Sequence, residues 1–191
     1  MPTSSARLVR AISLVGMPGS GKSTVGRHVA RHLGLHFVDT DHLIEQRIGC
    51  SIREYFELHG EPAFRDIEAD VLAETLSANQ SPIVATGGGV VLREANREVL
   101  RSHSHVFYLR TTADDLARRL RHDTHRPLLQ GADPVQRLRQ LFAERDPIYR
   151  RCAHFVIEAP RPSVHAMVHM VLMQIEVAQL LPAPESPNDA P

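Results

Sequence analysis

The nine residues GMPGSGKST, at positions 16–24, constrain the fold of this chain more than any other stretch. They follow the apolar run ISLVG (12–16) and lead into a helical pattern over 22–33. Glycines let the backbone curl so that its N–H groups point at an anion, and the following helix N-terminus adds positive potential. The stretch therefore predicts a phosphate loop that binds a nucleoside triphosphate. Lys22 can then reach the β- and γ-phosphates, and the Ser23 hydroxyl can ligate Mg²⁺.

Short apolar runs alternate with helix-length patterns along the chain. The runs are 12–16, 36–39, 82–86, 105–110 and 154–158, and the predicted helices include 22–33, 62–77, 94–102, 113–121, 134–145 and 163–180. Strands that alternate with helices predict an α/β fold whose parallel sheet is covered on both faces. Ligands of such sheets bind at the carboxyl ends of the strands, so the residues that end each strand are site candidates.

Composition argues against several other classes of protein. Lys plus Arg and Asp plus Glu both total 22, and a chain with no net charge is a poor candidate for holding nucleic acid by charge. No apolar run approaches the roughly 18 residues of a membrane span, and no secretory signal pattern is visible, so we expect a cytoplasmic protein. Two cysteines suggest neither a disulfide framework nor a zinc site.

The length of 191 residues predicts one domain, which we place at 1–181. The remaining stretch, PAPESPNDAP at 182–191, is rich in proline and polar residues and predicts a disordered tail. Nothing in the sequence advertises an interface, so a monomer is expected.

Two aspartates follow the second predicted strand, in the stretch FVDTD. The third predicted strand ends in Thr86, so a carboxylate that supports Mg²⁺ must come from another strand. A spacing of two puts Asp39 and Asp41 on one side of an extended chain. Asp39 is then a candidate to support Mg²⁺, and Asp41 to orient an acceptor hydroxyl for in-line attack. The alternative is Asp39 as a turn residue and Asp41 as the N-cap of the helix DHLIEQRI, and capping and catalysis can coexist.

Two arginines are candidates to bind an anion. Arg65 lies one helical turn before Glu68, which can orient its guanidinium group. Arg145 ends the predicted helix 134–145, before Asp146 and Pro147. Taken singly, each has a plain structural explanation: a surface i,i+3 ion pair for Arg65, and a favourable charge at a helix C-terminus for Arg145.

Two loops are candidates for ligand contact. Gly87, Gly88 and Gly89 follow the third predicted strand, and three glycines let a ligand approach backbone N–H groups closely. A binding loop is favoured over a flexible turn because the segment lies at the predicted ligand face. The polar segment 121–133 lies between two helices and is a candidate lid whose closure would exclude water. Arg126 would then stabilise the charge in transfer, unless the segment is an ordinary surface loop.

Six motifs together resemble the shikimate kinase family. They are GMPGSGKST, FVDTD, FR-x-x-E (64–68), ATGGG (85–89), RPLL (126–129) and ER-x-P-x-Y (144–149), in the family's order and spacing. The resemblance implies a three-layer α/β/α P-loop kinase fold with a five-stranded parallel sheet in the order 2-3-1-4-5. It also implies substrate-binding helices at about 41–78 and a mobile lid at about 121–133. The implied activity is phosphorylation of the 3-hydroxyl of shikimate by MgATP, a step toward chorismate and the aromatic amino acids.

The resemblance also implies roles position by position. The implied catalytic residues are Lys22, Asp41 and Arg126. The residues that would bind ATP are Gly19, Ser20, Gly21, Lys22, Ser23, Thr24, Arg119, Arg126, Arg161 and Pro162. The residues that would bind shikimate are Asp41, Phe56, Phe64, Arg65, Gly87, Gly88, Gly89 and Arg145. The positions that match magnesium ligands are Ser23 and Asp39.

Two other functions stay open. A kinase of gluconate or another sugar acid shares the phosphate loop, but it is not expected to combine FR-x-x-E, TGGG and RPLL. A regulatory nucleotide-binding module that has lost catalysis would more often lack Asp41 or Arg126, or carry a DNA-binding domain. This chain keeps both residues.

Overall fold

The computed structural model describes residues 10–78, 82–120, 134–159 and 163–181. Within them, parallel strands form a five-stranded sheet in the order β2-β3-β1-β4-β5. The strands are β1 (Ala11–Val15), β2 (Phe37–Asp39), β3 (Ile83–Ala85), β4 (Ser104–Leu109) and β5 (Phe155–Ile157). The expected α/β class and the strand order 2-3-1-4-5 are confirmed.

Helices fill most of the sequence between the strands. They are α1 (Lys22–Leu33), α2 (Thr40–Ile48), α3 (Ile52–Ser77), α4 (Glu94–His103), α5 (Ala113–Leu120), α6 (Pro134–Cys152) and α7 (Val164–Val177), with a short 3₁₀ turn at Val90–Leu92. Within those four described ranges, no helix is long and apolar enough to cross a bilayer.

The two faces of the sheet bury separate apolar layers. Ile12 and Leu14 of β1 lie in a cluster with Val29 of α1 and Val171 of α7. Val15 of β1 lies in the opposite cluster, together with residues of α3, α4 and α6. Side chains alternate across a strand, so β1 supplies both layers and is buried along its whole length. Because β1 is held by both layers, the start of the phosphate loop that follows it has a fixed position.

Helix α6 is longer than predicted. It continues through Pro147 to Cys152, so the prediction that a helix ends at Arg145 is wrong. A proline inside a helix removes one backbone hydrogen bond, which is why Asp146 and Pro147 suggested an end. The residues beyond it are nevertheless held, because Tyr149 and Cys152 are buried against the sheet at 0 % and 1 % exposure. Tertiary burial therefore overrides the local preference.

Helix α3 also begins earlier than predicted, at Ile52 instead of residue 62. Ser51 caps its N-terminus in a capping box with Glu54. Gly60 interrupts the helical conformation with φ 78° and ψ 172°, and Pro62 stands near the start of the second segment, where proline is tolerated. The predicted helix 62–77 is therefore the second segment of α3.

Candidate active site

The phosphate loop lies at the carboxyl end of β1, as predicted. Gly21 precedes α1 with φ 90° and ψ 15°, a left-handed conformation that favours glycine. Lys22 is 8 % exposed, and its Nζ donates hydrogen bonds of 2.9 Å to the carbonyl oxygens of Gly16 and Met17. The lysine charge is therefore held against the loop itself.

Two buried hydroxyl groups, one in the phosphate loop and one in α2, have unused hydrogen-bonding capacity. Ser20 in the loop and Thr40 at the start of α2 are each 1 % exposed. Neither side-chain oxygen has a hydrogen-bond partner among the residues that the structure describes. Since buried hydroxyls are ordinarily paired, the Ser20 hydroxyl fits a loop that receives further oxygen ligands.

The two aspartates after β2 have different surroundings. Thr40 already begins α2, so the expectation that Asp39 and Asp41 share one side of an extended chain is wrong. Asp39 is the N-cap of α2, and its Oδ1 accepts the backbone N–H of Asp41 at 3.1 Å. The alternative with Asp41 as N-cap is therefore also wrong. Asp41 instead directs its carboxylate at the backbone of Gly87, where an added Cβ would lie 2.7 Å from Oδ1.

Arg65 is held by carboxylates on two sides. Its Nη1 donates to Glu68 at 2.7 Å, and its Nε and Nη2 donate to Glu61 Oε1 at 3.1 and 2.8 Å. The side chain of Arg65 is 12 % exposed and that of Glu68 only 2 %, so the explanation as a surface ion pair is wrong. Glu61 had not been predicted to contact this arginine.

Burial and charge act against each other on this pair. Burial raises the pKa of Glu68 above its ordinary value, although Arg65 opposes that shift. Burial disfavours the charge of Arg65, but Glu68 and Glu61 outweigh it and raise the pKa of Arg65. The guanidinium group is therefore a permanent cation within the site.

The triple-glycine turn is where these side chains meet. A Cβ at Gly87 would lie 2.7 Å from Asp41 Oδ1 and 3.0 Å from Glu68 Oε1. A Cβ at Gly88 would lie 2.7 Å from Cδ of Pro18, in the phosphate loop, and one at Gly89 would collide with the Arg65 guanidinium. Only a turn without side chains lets these groups approach so closely.

Helix α6 reaches the same turn from the other side. Arg145 Nη1 donates to the carbonyl oxygen of Gly88 at 3.4 Å, and the Tyr149 hydroxyl donates to the same oxygen. Tyr149 belongs to the ER-x-P-x-Y stretch but had not been predicted as a site residue. Its i,i+4 spacing from Arg145 was the available signal, and the expected helix end at 145 concealed it.

Phe56 and Phe64 lie on either side of the Gly60 interruption in α3. Their ring centroids are 4.5 Å apart, and Phe64 is 4 % exposed while Phe56 is half-buried. The Arg65 guanidinium carbon lies 5.3 Å from the Phe64 ring centroid, within the range of a cation–π contact. The Phe64 ring therefore lies beside the arginine, and the Phe56 ring lies against Phe64.

The remaining predicted site residues divide into two groups. Gly19, Ser23 and Thr24 lie in the phosphate loop and the first turn of α1. Arg126, Arg161 and Pro162, the candidate lid 121–133, the tail 182–191 and the side chain of Arg119 lie outside the described residues.

The chain is similar to proteins named shikimate kinase over most of its length. A family model described as shikimate kinase matches residues 18–176. The shikimate kinase of Paracidovorax citrulli is 54 % identical over 174 residues, which cover 90 % of this chain and 95 % of that protein. The shikimate kinase of Ralstonia nicotianae is 51 % identical over 182 residues, which cover 94 % and 95 %.

A solved structure agrees with these sequence relatives. The shikimate kinase from Acinetobacter baumannii in complex with shikimate superposes with a TM-score of 0.82 at 41 % identity, covering 89 % of this chain and 94 % of that one. The family model, these relatives and the strand order agree, and the chain belongs to the shikimate kinase family.

Proposed function

We propose that this protein transfers the γ-phosphoryl group of ATP to the 3-hydroxyl of shikimate, giving shikimate 3-phosphate and ADP. The reaction is a step toward chorismate and the aromatic amino acids. The observation that carries the proposal is the glycine turn, where the Asp41 carboxylate, the Arg65 and Arg145 guanidinium groups and the phosphate loop converge. The relatives' names, one of them solved with shikimate, support the same acceptor.

The acceptor side suits a small carboxylic acid that carries hydroxyl groups. Arg65 and Arg145 are planar donors that match the two oxygens of a carboxylate. Asp41 offers oxygens that accept hydrogen bonds from ring hydroxyls. Phe56 and Phe64 would give the pocket an apolar wall against which a carbon ring can lie.

The donor side suits a triphosphate. Backbone N–H groups of the loop, the N-terminus of α1 and Lys22 together would neutralise the β- and γ-phosphate oxygens. The Ser20 hydroxyl, which is buried without a partner in the described residues, supports further contact with phosphate oxygens.

Ser23 and Asp39 would hold a magnesium ion, directly or through water. Mg²⁺ prefers oxygen ligands, keeps several waters and is completed by substrate phosphates, so one hydroxyl and one carboxylate fit it. The N–H of Asp41 fixes the Asp39 carboxylate at the end of β2. When bound, the ion supplies positive charge that offsets the charge of the triphosphate.

Asp41 would act on the acceptor hydroxyl. Its carboxylate accepts the hydrogen bond of the 3-hydroxyl and points the oxygen at the γ-phosphorus for in-line transfer. As the new P–O bond forms and the bond to ADP breaks, the hydroxyl proton passes toward the Asp41 carboxylate. Arg126 would stabilise the charge on the group in transfer.

Further parts of the proposal rest on the family resemblance and composition. Arg119, Arg161 and Pro162 would contact the adenine side of ATP. The zero net charge supports small-molecule substrates over nucleic acid. We propose a monomer that works in the cytoplasm, without contact to a membrane.

ADP release by the purified full-length chain tests the proposal. With MgATP, shikimate should stimulate ADP release about 100-fold or more over gluconate or no acceptor, because unpaired polar groups in the site reject the wrong acceptor. Release that is independent of shikimate would overturn the proposal, and stimulation by gluconate instead would favour a sugar-acid kinase.

A further inference from the structure

One backbone oxygen in the acceptor site receives two donors from the same helix. The carbonyl of Gly88 accepts the Tyr149 hydroxyl and, at 3.4 Å, Nη1 of Arg145. Both side chains come from one face of α6, four residues apart. The turn and the arginine that would grip the acceptor are therefore coupled through a shared oxygen.

The two hydrogen bonds are unequal. The contact from Arg145 is at the long limit for an N–H···O bond, whereas the Tyr149 hydroxyl approaches the carbonyl closely. The hydroxyl is therefore the closer donor to this oxygen, whereas Arg145 contributes one of its five N–H donors through a long contact. The Arg145 guanidinium also interacts with the Tyr149 hydroxyl itself, which opposes the rise in the tyrosine pKa that burial causes. Without the hydroxyl, the carbonyl would draw Arg145 onto itself.

The Tyr149 hydroxyl is held in a fixed position. The Tyr149 ring is fully buried and stacks on Tyr108, with centroids 4.9 Å apart and planes inclined by 24°. Tyr108 in turn donates to Asp146 at 2.8 Å, and Arg110 and Arg150 donate to the same carboxylate at 2.9 and 2.8 Å. Burial raises the pKa of Tyr149 far above its ordinary value, so the hydroxyl remains a donor across the working pH range.

We propose that Tyr149 is a positioning residue for the acceptor: its hydroxyl satisfies the Gly88 carbonyl and thereby keeps the Arg145 guanidinium available for the acceptor carboxylate. This inference rests on the proposed function, since it assumes a carboxylate-bearing acceptor. It gives the last residue of the ER-x-P-x-Y stretch a role that acts through Arg145.

Steady-state kinetics of Tyr149→Phe tests the inference, because phenylalanine keeps the buried ring and removes only the hydroxyl. The KM for shikimate should rise about five- to tenfold, the effect of losing about one hydrogen bond, while the KM for ATP changes less than about twofold. The matched control is Tyr108→Phe, which removes the other hydroxyl of the same stacked pair and leaves the Gly88 carbonyl untouched. Asp146 keeps two arginine partners in that control, so both KM values should stay within about twofold of wild type.

A second measurement separates positioning from general stability. The thermal midpoints of the two variants should fall by similar amounts, so a rise in shikimate KM confined to Tyr149→Phe cannot come from loss of stability. Equal shikimate KM values for Tyr149→Phe and wild type would overturn the inference. It would also be overturned if Tyr149→Phe lost ATP binding and melted far below Tyr108→Phe, since the hydroxyl would then hold the fold.

A double-mutant cycle with Arg145→Gln tests whether the Tyr149 hydroxyl acts on acceptor binding through Arg145. If the hydroxyl acts through Arg145, adding Tyr149→Phe to Arg145→Gln should change the shikimate dissociation constant by less than about twofold. Independent, additive effects would show that the route through Arg145 is wrong. Wild-type ADP release is the reference: if it does not depend on shikimate, the proposed function fails, whereas a failed cycle in an active enzyme overturns only the role of Tyr149.

Discussion

Arg65 shows how one side chain can have a fixed partner and an exchangeable one. Glu68 is 2 % exposed and supports the guanidinium from within the protein, whereas Glu61 is 59 % exposed on the opposite edge. If Arg65 binds the acceptor carboxylate as proposed, Glu61 occupies two N–H donors that the acceptor would need. Glu61 would then compete with the acceptor for Arg65.

Glu61→Gln should strengthen acceptor binding. An exposed ion pair contributes about 1 kcal/mol or less, so the shikimate dissociation constant, measured by calorimetry, should fall by about two- to fivefold. Glu57→Gln is the matched control, because Glu57 forms an exposed i,i+4 pair with Arg53 in the same helix. Weaker binding by Glu61→Gln would mean that Glu61 orients Arg65 instead of competing for it.

Asp41→Asn should separate chemistry from nucleotide binding. The amide keeps the shape of the side chain but cannot take up the hydroxyl proton, so kcat should fall by about 10²- to 10⁴-fold. The ATP dissociation constant, measured by calorimetry, should stay within about twofold of wild type. Asp70→Asn, at an exposed position of α3, is the control and should keep wild-type kcat. An unchanged kcat in Asp41→Asn would remove Asp41 from catalysis.

At the residue scale, sequence reasoning reached some contacts and missed others. The i,i+3 spacing of Arg65 and Glu68 predicted their contact, and the structure has it at 2.7 Å. The Glu61 contact needs helical geometry across residues 61–65, and a helix predicted to begin at 62 does not supply it. The burial of Glu68 could not be predicted either, because residue spacing alone does not distinguish a glutamate that is 2 % exposed from one on the surface.

At the element scale, the turn after β3 is short of space on three sides. Gly88→Ala should raise the KM values for both ATP and shikimate, because its Cβ would press on Pro18 of the phosphate loop and shift the carbonyl that Arg145 and Tyr149 share. Steady-state kinetics with each substrate varied in turn would measure both effects. An effect on one substrate alone would contradict the contact between the two loops.

Gly34→Ala is the control for that prediction. Gly34 ends α1 with φ 66°, and a Cβ there meets no atom within 4 Å. The left-handed conformation should cost about 1–2 kcal/mol of stability, yet both KM values should be unchanged. The pair of variants thus separates crowding at the site from backbone strain elsewhere.

Element ends were the weak part of the sequence prediction. Pro147 led to an expected helix end at 145, and the buried side chains of Tyr149 and Cys152 carry α6 seven residues further. Local propensity has no information about what the far end of a helix will bury. The start of the predicted helix 113–121 was more accurate: α5 begins at Ala113, and the Thr112 hydroxyl accepts the N–H of Asp115 at 3.2 Å.

At the scale of the whole molecule, alternating strands and helices predict a parallel sheet with short connections but do not fix the order of its strands. The order 2-3-1-4-5 came from the family resemblance. In this order, β1 and the phosphate loop that follows it lie between β3 and β4, and β3 leads into the glycine turn. Both candidate half-sites therefore lie at the same edge of the sheet.

The rates at which Cys50 and Cys152 react with a thiol reagent should show whether the protein is folded. Cys152 is 1 % exposed, and burial raises the pKa of its thiol to about 11, so at pH 8 it is protonated and shielded. Cys50 is half-buried and should react with an aromatic disulfide reagent in the native state. We expect one fast thiol in native protein and two after denaturation.

Cys50→Ser is the control for the thiol count. This variant should show no fast thiol, and its slow reaction should follow the opening of the fold. A fast native reaction of Cys152 would contradict the burial of the end of α6.

The contact between Pro18 and Gly88 predicts that a substitution of Gly88 is tolerated only together with one of Pro18. The nearest atoms to a Cβ at Gly88 are Cδ and Cγ of Pro18, at 2.7 and 2.8 Å, and both belong to a ring that a smaller residue would lack. The two positions are 70 residues apart in the chain, by the difference of their numbers. In a randomised library selected for growth, a side chain at 88 should survive only in clones that also replace the proline at 18. The two loops would then change together, although by the proposed function they would bind different substrates.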